Sequence, residues 1–401
     1  MNDLKIVHIA KHSHNIGEGA LIDGMHRMLT RDMGSKISFD RVDRKRFQAI
    51  AGNEFKDQSL SARLDDSYAE SLNKSASALI LGGGGIFQTG TYDSLGGMCL
   101  AGDLSALEKL KIPIVVYAAG DNRLKDSYKF EYVDGLNRLL EILSHSKRGL
   151  FSLRNDGSKE RFLEIIEEKY HGLVHEIPDP GLYVSRSSHR HPLIRADCKN
   201  IVVQLAGDRI GERFSLPDNR EDSKQSEVLA AIADCLIRLN EKYRLNIIIA
   251  PHIPTDFAIV ADFLKVCDKR LVGNSSMTRE LIDVSWCARG VEAAPDFFSL
   301  YDQADLAVGM RGHAAICSVG LDTPFIGLDT HEKVGGFLRK MGLSKWILSP
   351  LDTDFGEKLY RSCDDLLHSR GEWSRIRAEA YSECRKTTRA FHKDFETVIK
   401  S

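Results

Sequence analysis

Arg311 and His313 are separated by one residue and follow the apolar segment 305–308. A strand that ends there places both side chains at the start of a helix, where free backbone N–H groups and the helix dipole favour an anion. Arginine offers a planar fork that matches a carboxylate or phosphate, and histidine exchanges protons near neutral pH. The pair therefore indicates anion binding with acid–base chemistry. The alternative is an Arg/His cap that only satisfies loop carbonyl groups.

A second arginine, Arg154, ends another apolar segment, 149–153, and Asn155 or Asp156 can cap the helix that follows. Taken alone, this pattern is more typical of a surface arginine beside a helix cap. Taken with Arg311, it predicts two basic strand ends that face each other across a cleft. Such a pair would suit a small dianion, for example a phosphorylated carboxylate.

Four consecutive glycines, 82–85, follow the apolar run 78–81. We expect a strand over that run and then a turn whose bare backbone approaches a ligand. The spacing departs from the G-x-G-x-x-G motif, and no acidic residue ends a strand about 20 positions on, so a dinucleotide is disfavoured relative to a carbohydrate or phosphate. The alternative is a tight connection without a ligand. The glycines predicted to contact substrate are Gly83, Gly84 and Gly85.

Three weaker candidates for substrate binding are Asn15, His252 and Lys333. The alternatives are a turn former for Asn15, a helix cap for His252 and a solvated side chain for Lys333. The 14 histidines show no H-x-x-x-H pairing with an acid, so no metal site is predicted. The eight cysteines are scattered singly and are interpreted as reduced, mostly buried thiols.

The elements that position these residues follow from the alternation of short β-branched segments with amphipathic stretches, which predicts parallel sheets and the α/β class. The predicted strands are 5–10, 78–83, 113–120, 148–154, 201–207, 245–252, 305–310 and 324–328. Helices are predicted near 20–29, 95–110 and 130–144, with one long amphipathic helix from Glu372 onward. Because ligands collect at the carboxyl ends of parallel strands, we expect four strand-end segments to share one rim: 15–19, 82–88, 119–123 and 154–158.

Length and composition indicate a globular protein of two domains, because 401 residues are more than a single hydrophobic core usually contains. A stretch rich in proline, serine and arginine near residues 176–200 suggests domains at 1–185 and 186–370, followed by a helix at 371–401 that packs at their junction. The net charge of −2 argues against a nucleic-acid partner. No secretion signal and no apolar run of roughly 20 residues is present, so a cytoplasmic protein without a membrane span is expected.

These segments together resemble the polysaccharide pyruvyl transferase family. The resemblance rests on six stretches in the family's order, spread over residues 5 to 345: HNIGEGALI, LILGGGGIFQ, FSLRNDGS, IPDPGLYV, RGHAAICSVGLDTPFIGL and EKVGGFLRKMGL. It implies two Rossmann-like domains facing across a cleft, similar to the GT-B glycosyltransferases. It also implies that phosphoenolpyruvate is the donor and that a sugar of a glycan or lipid-linked saccharide is the acceptor, giving a pyruvate ketal.

By position in the motifs, the resemblance implies that His313 is the general acid/base and that Arg311 and Arg154 hold the phosphate and carboxylate. Lys333 is a further candidate for the phosphate, the glycine turn would border the acceptor, and neither a metal nor a cofactor is needed. Two positions depart from the family's usual residues. Gly312 stands where a large apolar residue is usual, and Asn155 stands where an aspartate is usual.

Two other functions are compatible with the sequence. One is a GT-B glycosyltransferase that uses a nucleotide sugar, and the other is a non-catalytic protein that binds a glycan or a phosphorylated metabolite. Substitution of His313 by alanine separates catalysis from binding, because only a catalyst has turnover to lose. Membrane contact through a lipid-linked acceptor and assembly into an oligomer are also compatible with the sequence.

Overall fold

A computed structural model of the chain describes residues 3–10, 15–34, 36–43, 63–87, 95–100, 102–122, 133–145, 148–214, 221–270, 278–281 and 290–401. Strands alternate with helices along the chain, and all pairings between the named strands are parallel. The predicted α/β class is therefore confirmed.

The chain groups into two compact units. The first comprises Met1–Ser13, Gly24–Pro180 and Glu383–Ser401, and the second comprises His14–Asp23 and Gly181–Ser382. The sequence analysis placed its domain boundaries after residues 185 and 370. The segment at Asn15, which was expected on the rim of the first sheet, groups with the second unit.

The first unit is built on a six-stranded sheet with the order β2-β1-β3-β4-β5-β6. Its strands are β1 (Leu4–Ala10), β2 (Ile37–Asp43), β3 (Ala78–Phe87), β4 (Ile114–Asp121), β5 (Gly149–Arg154) and β6 (Val174–Ile177). The helices of this half of the chain are α1 (Ile16–Met33), α2 (Asp66–Ser75), α3 (Leu104–Glu108), α4 (Val133–His145) and α5 (Ser158–Leu163). Strands β3 and β4 are buried along almost their whole length, as central strands of a parallel sheet must be.

The second unit is built on another six-stranded sheet, with the order β12-β11-β10-β7-β8-β9. Its strands are β7 (Lys199–Gln204), β8 (Leu245–Ile249), β9 (Thr278–Leu281), β10 (Leu306–Gly309), β11 (Phe325–Leu328) and β12 (Ile347–Leu348). Its helices are α6 (Ile210–Phe214), α7 (Glu221–Lys242), α8 (Asp256–Arg270), α9 (Ala294–Asp302), α10 (Gly312–Leu321), α11 (Glu332–Lys340) and α12 (Phe355–His368). The eight predicted strands are all present, whereas β2, β6, β9 and β12 were not predicted.

The glycine segment is part of a strand, so the prediction of a turn at residues 82–85 is wrong. Strand β3 continues to Phe87 because its pairing with β4 continues, with Gly82 opposite Tyr117 and Gly84 opposite Ala119. Gly82, Gly83 and Gly84 have φ values of +100°, +86° and +79°, and the register shifts between Gly84 and Phe87. A left-handed backbone of this kind is costly for residues with a Cβ. The glycines therefore form an irregular strand end.

The predicted long C-terminal helix is confirmed as α13 (Gly371–Lys400). Its buried residues Trp373, Phe391 and Phe395 recur on one face, as the apolar spacing predicted. Among the described helices, none is both long and apolar enough to cross a membrane. The cellular location stays a prediction. None of the described cysteines forms a disulfide and most of them are buried, and Cys287 lies outside the described residues.

Candidate functional site

Arg311 and His313 lie at the carboxyl end of β10, where the sequence predicted them. Arg311 has an extended backbone and is the N-cap residue of α10, whose second residue is His313. The helix is buried from Ala314 to Val319, so tight packing fixes its first turn. The strand-to-helix junction therefore places a guanidinium and an imidazole next to each other.

Arg311 is held by two carboxylates that are distant in sequence. Its Nε donates to Oδ2 of Asp256 at 2.8 Å, and its Nη2 donates to Oδ1 of Asp208 at 2.7 Å and also to Oδ1 of Asp256. Burial disfavours the charge, but the two carboxylates raise the pKa of Arg311 above its ordinary value. Within the described part of the chain, Nη1 of Arg311 forms no hydrogen bond. Arg311 is thus a fixed cation with one N–H₂ group left for a ligand.

Asp256 anchors this arrangement from the start of α8. It is fully buried and accepts hydrogen bonds from the backbone N–H of Gly207 and of His252, each at 2.9 Å. The side chain of Gln204 also donates to it, at 3.3 Å. One carboxylate therefore links the segments after β7 and β8 to Arg311.

Asp208 joins Arg311 to a third buried charge, Arg213 of α6. Nη2 of Arg213 donates to Oδ1 of Asp208 at 2.8 Å, and its Nη1 donates to the hydroxyl of Thr330 at 3.3 Å. Burial works against ionisation of Asp208, yet the charges of Arg311 and Arg213 hold its pKa below the ordinary value. Burial, reinforced by the charge of Arg311, lowers the pKa of Arg213. Two cations and two anions are thus packed at the carboxyl edge of the second sheet.

His313 packs against the start of α1. A Cβ on Gly17 would lie 2.5 Å from Cβ of His313, so only glycine permits this approach. The side chain of Asn15 accepts a hydrogen bond from Gly17 N at 3.0 Å, and Ile16 N donates to the carbonyl of His252 at 3.2 Å. Asn15 therefore caps α1, whereas its alternative interpretation was a turn former, and its segment lies beside His313.

Lys333 lies beside the residue between the arginine and the histidine. A Cβ on Gly312 would be 3.6 Å from Cβ of Lys333. His331 caps α11 by accepting a hydrogen bond from Lys333 N at 3.2 Å, which fixes the helix start. The structure thus brings five predicted residues into the second unit, at adjoining positions: Asn15, His252, Arg311, His313 and Lys333.

His252 is completely buried. Its Nε2 forms a hydrogen bond of 2.7 Å with the hydroxyl of Tyr301, and the rings of Phe297 and Phe298 meet its imidazole edge to face. Burial lowers its pKa well below the ordinary value, and the charges of Arg311 and His313 lower it further. His252 is therefore a neutral part of the layer beneath the site. Its predicted contact with substrate stays untested.

Arg154 lies in the first unit, at the end of β5, and is also buried between two carboxylates. Its Nε donates to Asp156 at 2.5 Å and its Nη1 donates to Asp179 at 3.1 Å. The two carboxylates raise the pKa of Arg154 although burial opposes its charge. A Cβ on Gly120 would lie 2.5 Å from Cζ of Arg154, so a glycine makes room for the guanidinium. Its predicted role as an anion holder stays a prediction.

Although Asn155 stands where the family usually has an aspartate, other carboxylates still orient Arg154. The side chain of Asn155 accepts a hydrogen bond from the backbone N–H of Asp179 at 3.1 Å, while Asp156 and Asp179 hold the guanidinium.

In the glycine segment, the carbonyl of Gly82 accepts a hydrogen bond from His8 at 2.8 Å. Gly83 and Gly84 are buried, and a contact of this segment with substrate stays a prediction.

The carboxylates that organise both arginines were missed by the sequence analysis: Asp156, Asp179, Asp208 and Asp256. Arg213 and Gly17 were not assigned a role in the site either. The available signal was an acid soon after a strand, as in AGDR after β7 and APHIPTD after β8. That signal is weak, because acids after strands more often cap helices.

A separate cavity of about 670 Å³ lies at the opposite, amino-terminal edge of the second sheet. Its wall includes Arg190, Lys199, Arg244 and Asp305, and none of the predicted site residues. Among the described residues, no three His, Cys, Asp or Glu side chains are grouped so that they could hold a metal ion.

The family model "Polysaccharide pyruvyl transferase" matches residues 15–332. No protein of curated function matches the sequence.

Solved structures match almost the whole chain at low identity. A Listeria monocytogenes protein assigned as UDP-N-acetylglucosamine 2-epimerase has a TM-score of 0.57 at 12% identity, covering 94% of this chain and 91% of its own. UDP-GlcNAc 2-epimerase of Methanocaldococcus jannaschii has 0.53 at 14%, covering 92% and 94%. The trehalose-6-phosphate synthase OtsA has 0.53 at 12%, covering 99% of both chains. These similarities confirm the fold class, two Rossmann-like domains of the GT-B type.

Proposed function

Because the chain belongs to the polysaccharide pyruvyl transferase family, we propose that it transfers the pyruvyl group of phosphoenolpyruvate to two hydroxyl groups of a glycan. The products are a pyruvate ketal and inorganic phosphate. The observation that carries the proposal is Arg311, fixed between Asp208 and Asp256 next to His313. Addition to a phosphorylated enol needs an anion clamp beside an acid–base group, and this pair supplies both.

In the proposed reaction, protonated His313 gives its proton to the terminal carbon of the enol. The electron pair of the C=C bond forms the new C–H bond, so the central carbon becomes electrophilic. One sugar hydroxyl adds to that carbon and loses its proton to the imidazole. The bond from the central carbon to the phosphate oxygen then breaks, and its electron pair leaves with the phosphate. A second hydroxyl adds to the same carbon, its proton passes to the departing phosphate, and the ketal closes.

Arg311 and Lys333 would hold the anionic groups of the donor during these steps. Nη1 of Arg311 is the donor group left over from its two carboxylate partners, and Lys333 lies beside Gly312, the residue between Arg311 and His313. The donor and two hydroxyl groups balance the reaction, so we propose that no bound cofactor takes part. The acceptor class is a glycan or a lipid-linked sugar.

Calorimetric titration of phosphoenolpyruvate, and of a panel of nucleotide sugars, tests the donor. Arg311→Lys keeps the charge and loses the fork, so we expect phosphoenolpyruvate to bind about tenfold more weakly. Arg370→Lys is the control, since Arg370 is exposed and has no ion pair within the described residues. Binding of a nucleotide sugar without binding of phosphoenolpyruvate would move the protein to the glycosyltransferases.

His313→Ala tests catalysis. Loss of a general acid–base group is expected to lower kcat by about 10²–10⁴ while phosphoenolpyruvate affinity is kept. His368→Ala, a substitution at an exposed position of α12, should leave both quantities unchanged. A wild-type protein that binds the donor but turns over no glycan acceptor would be a binding protein instead.

A further inference from the structure

A single oxygen atom of Asp208 is shared by two guanidinium groups. Oδ1 accepts from Nη2 of Arg311 at 2.7 Å and from Nη2 of Arg213 at 2.8 Å. The arginine side chains are 11% and 3% exposed, whereas the side chain of Asp208 is 32% exposed. The carboxylate is therefore the accessible member of the cluster, in the position that an external anion would take between two arginines.

The two acids of the cluster are attached in different ways. Asp256 is fully buried and is tied down by backbone N–H groups of Gly207 and His252. Apart from its own backbone, the carboxylate of Asp208 is bonded within the described residues only to the two arginines. Asp256 is thus a permanent counter-charge, and Asp208 is an exchangeable one.

The backbone next to Asp208 is strained. Arg209 has φ of +54°, a left-handed conformation that costs a residue with a Cβ roughly 1–3 kcal/mol. Such a conformation persists only when surrounding contacts hold it. Asp208, which accepts the bonds from the two arginines, directly precedes this residue.

We propose that Arg213 and Arg311 form an anion site whose occupant in the ligand-free protein is the carboxylate of Asp208, and that an incoming phosphate or carboxylate group displaces it. The charge balance supports this exchange. With Asp208 in place, two arginines face two acids; with Asp208 displaced, one positive charge is left over for the ligand. The identity of the ligand as phosphoenolpyruvate rests on the proposed function, but the anion site does not.

An internal occupant makes the site selective. A ligand must form more contacts than the carboxylate it replaces. Its apparent affinity is its intrinsic affinity multiplied by the fraction of protein in which Asp208 has left the two arginines. Small singly charged anions cannot meet that condition as well as a phosphate that spans both guanidinium groups. Competition with the Asp208 carboxylate would therefore favour a dianionic donor over other solutes.

The test is calorimetric titration of inorganic phosphate and of phosphoenolpyruvate into wild type and Asp208→Asn at low ionic strength. Removal of the internal competitor is expected to tighten phosphate binding about tenfold. Asp305→Asn is the matched control: Asp305 has a similar exposure of 29% and pairs with Lys199 at 2.9 Å, at the opposite edge of the same sheet. It changes the net charge equally and should leave phosphate affinity unchanged.

Equal or weaker phosphate binding by Asp208→Asn, with a thermal midpoint like that of wild type, would overturn the inference. Asp208→Ser is the second variant, and unfolding of both would show that Asp208 is a structural anchor, which overturns it as well. Tighter phosphate binding without any binding of phosphoenolpyruvate would keep the anion site and remove the proposed donor. Ketal formation by the wild type, without tighter phosphate binding by Asp208→Asn, would keep the proposed function and remove the anion site.

Discussion

Arg154 and Arg311 show how a buried guanidinium keeps its charge. Each loses water on burial, and each is compensated by a pair of carboxylates, Asp156 with Asp179 and Asp208 with Asp256. Removing one member of a buried charge pair typically costs about 3–5 kcal/mol, because the partners stay buried without a counter-charge. Alanine at either arginine would therefore mix a folding defect with any effect on binding. Lysine is the cleaner substitution.

Gly17 allows a sharper test of how His313 is placed. In Gly17→Ala the new Cβ would overlap the imidazole, so His313 must shift. A displacement near 1 Å is expected to lower kcat about 10²-fold. Phosphoenolpyruvate affinity should change little, because Arg311 is held by other residues. Steady-state kinetics with the glycan acceptor and calorimetry of the donor measure the two effects.

Gly172→Ala is the matched control for Gly17, because a Cβ at Gly172 would have nothing within 4 Å. It should have wild-type kinetics. If Gly17→Ala also had wild-type kcat, packing of α1 against His313 would be irrelevant to catalysis.

At the scale of elements, the irregular end of β3 shows why four glycines stand together. Gly82, Gly83 and Gly84 have a left-handed backbone in the segment that pairs with β4, and His8 forms a hydrogen bond with the carbonyl of Gly82. Alternation of apolar residues predicts the strand, but it does not distinguish a bulged end from a turn, since both favour glycine.

We expect Gly83→Ala to destabilise the protein by roughly 1–3 kcal/mol, because φ of +86° is unfavourable for alanine. Denaturant unfolding followed by circular dichroism measures this loss. Gly356→Ala in α12 is the control: its Cβ would be 3.4 Å from that of Ala231, an ordinary contact, and helix propensity favours alanine. Equal stability of Gly83→Ala and wild type would contradict the described backbone.

At the scale of the whole molecule, buried histidines make stability depend on pH. Burial, with the charges of His8 and Arg41, lowers the pKa of His26 to about 2. Burial also lowers the pKa of His252 and, despite the opposing hydrogen bond that His392 donates to Asp32, that of His392. In the unfolded chain each histidine has a pKa near 6.5, so it binds a proton at a higher pH than the same histidine does in the folded protein. Their contribution to stability is therefore complete above pH 6.5 and is lost progressively as the pH falls.

We expect the free energy of unfolding to fall between pH 7 and pH 5, with His26 alone accounting for about 2 kcal/mol. Urea midpoints at the two values measure the change. His26→Phe should reduce this dependence, whereas His189→Gln at an exposed position should not. A stability that is constant over this range would contradict the burial of these imidazoles.

Local patterns account for much of the fold. The apolar runs predicted eight strands, including β7, β8 and β10 of the second sheet, and the spacing of apolar residues predicted α13. The strand β2 was missed because its apolar residues, Ile37, Phe39 and Val42, do not keep a strict alternation over its seven residues. The strand β12 is only two residues long, too short for any periodicity to show.

By itself, the sequence determined the α/β class and the position of Arg311 and His313 at a strand-to-helix junction, because both depend on neighbouring residues. Only the tertiary structure decided what surrounds that pair. Asp256 and Asp208 are 55 and 103 residues away from Arg311, and Gly17 reaches His313 from the other end of the chain. Tertiary packing decides which distant groups neutralise a buried charge and where a close approach requires a residue without a Cβ. Patterns of neighbouring residues in the sequence do not contain this information.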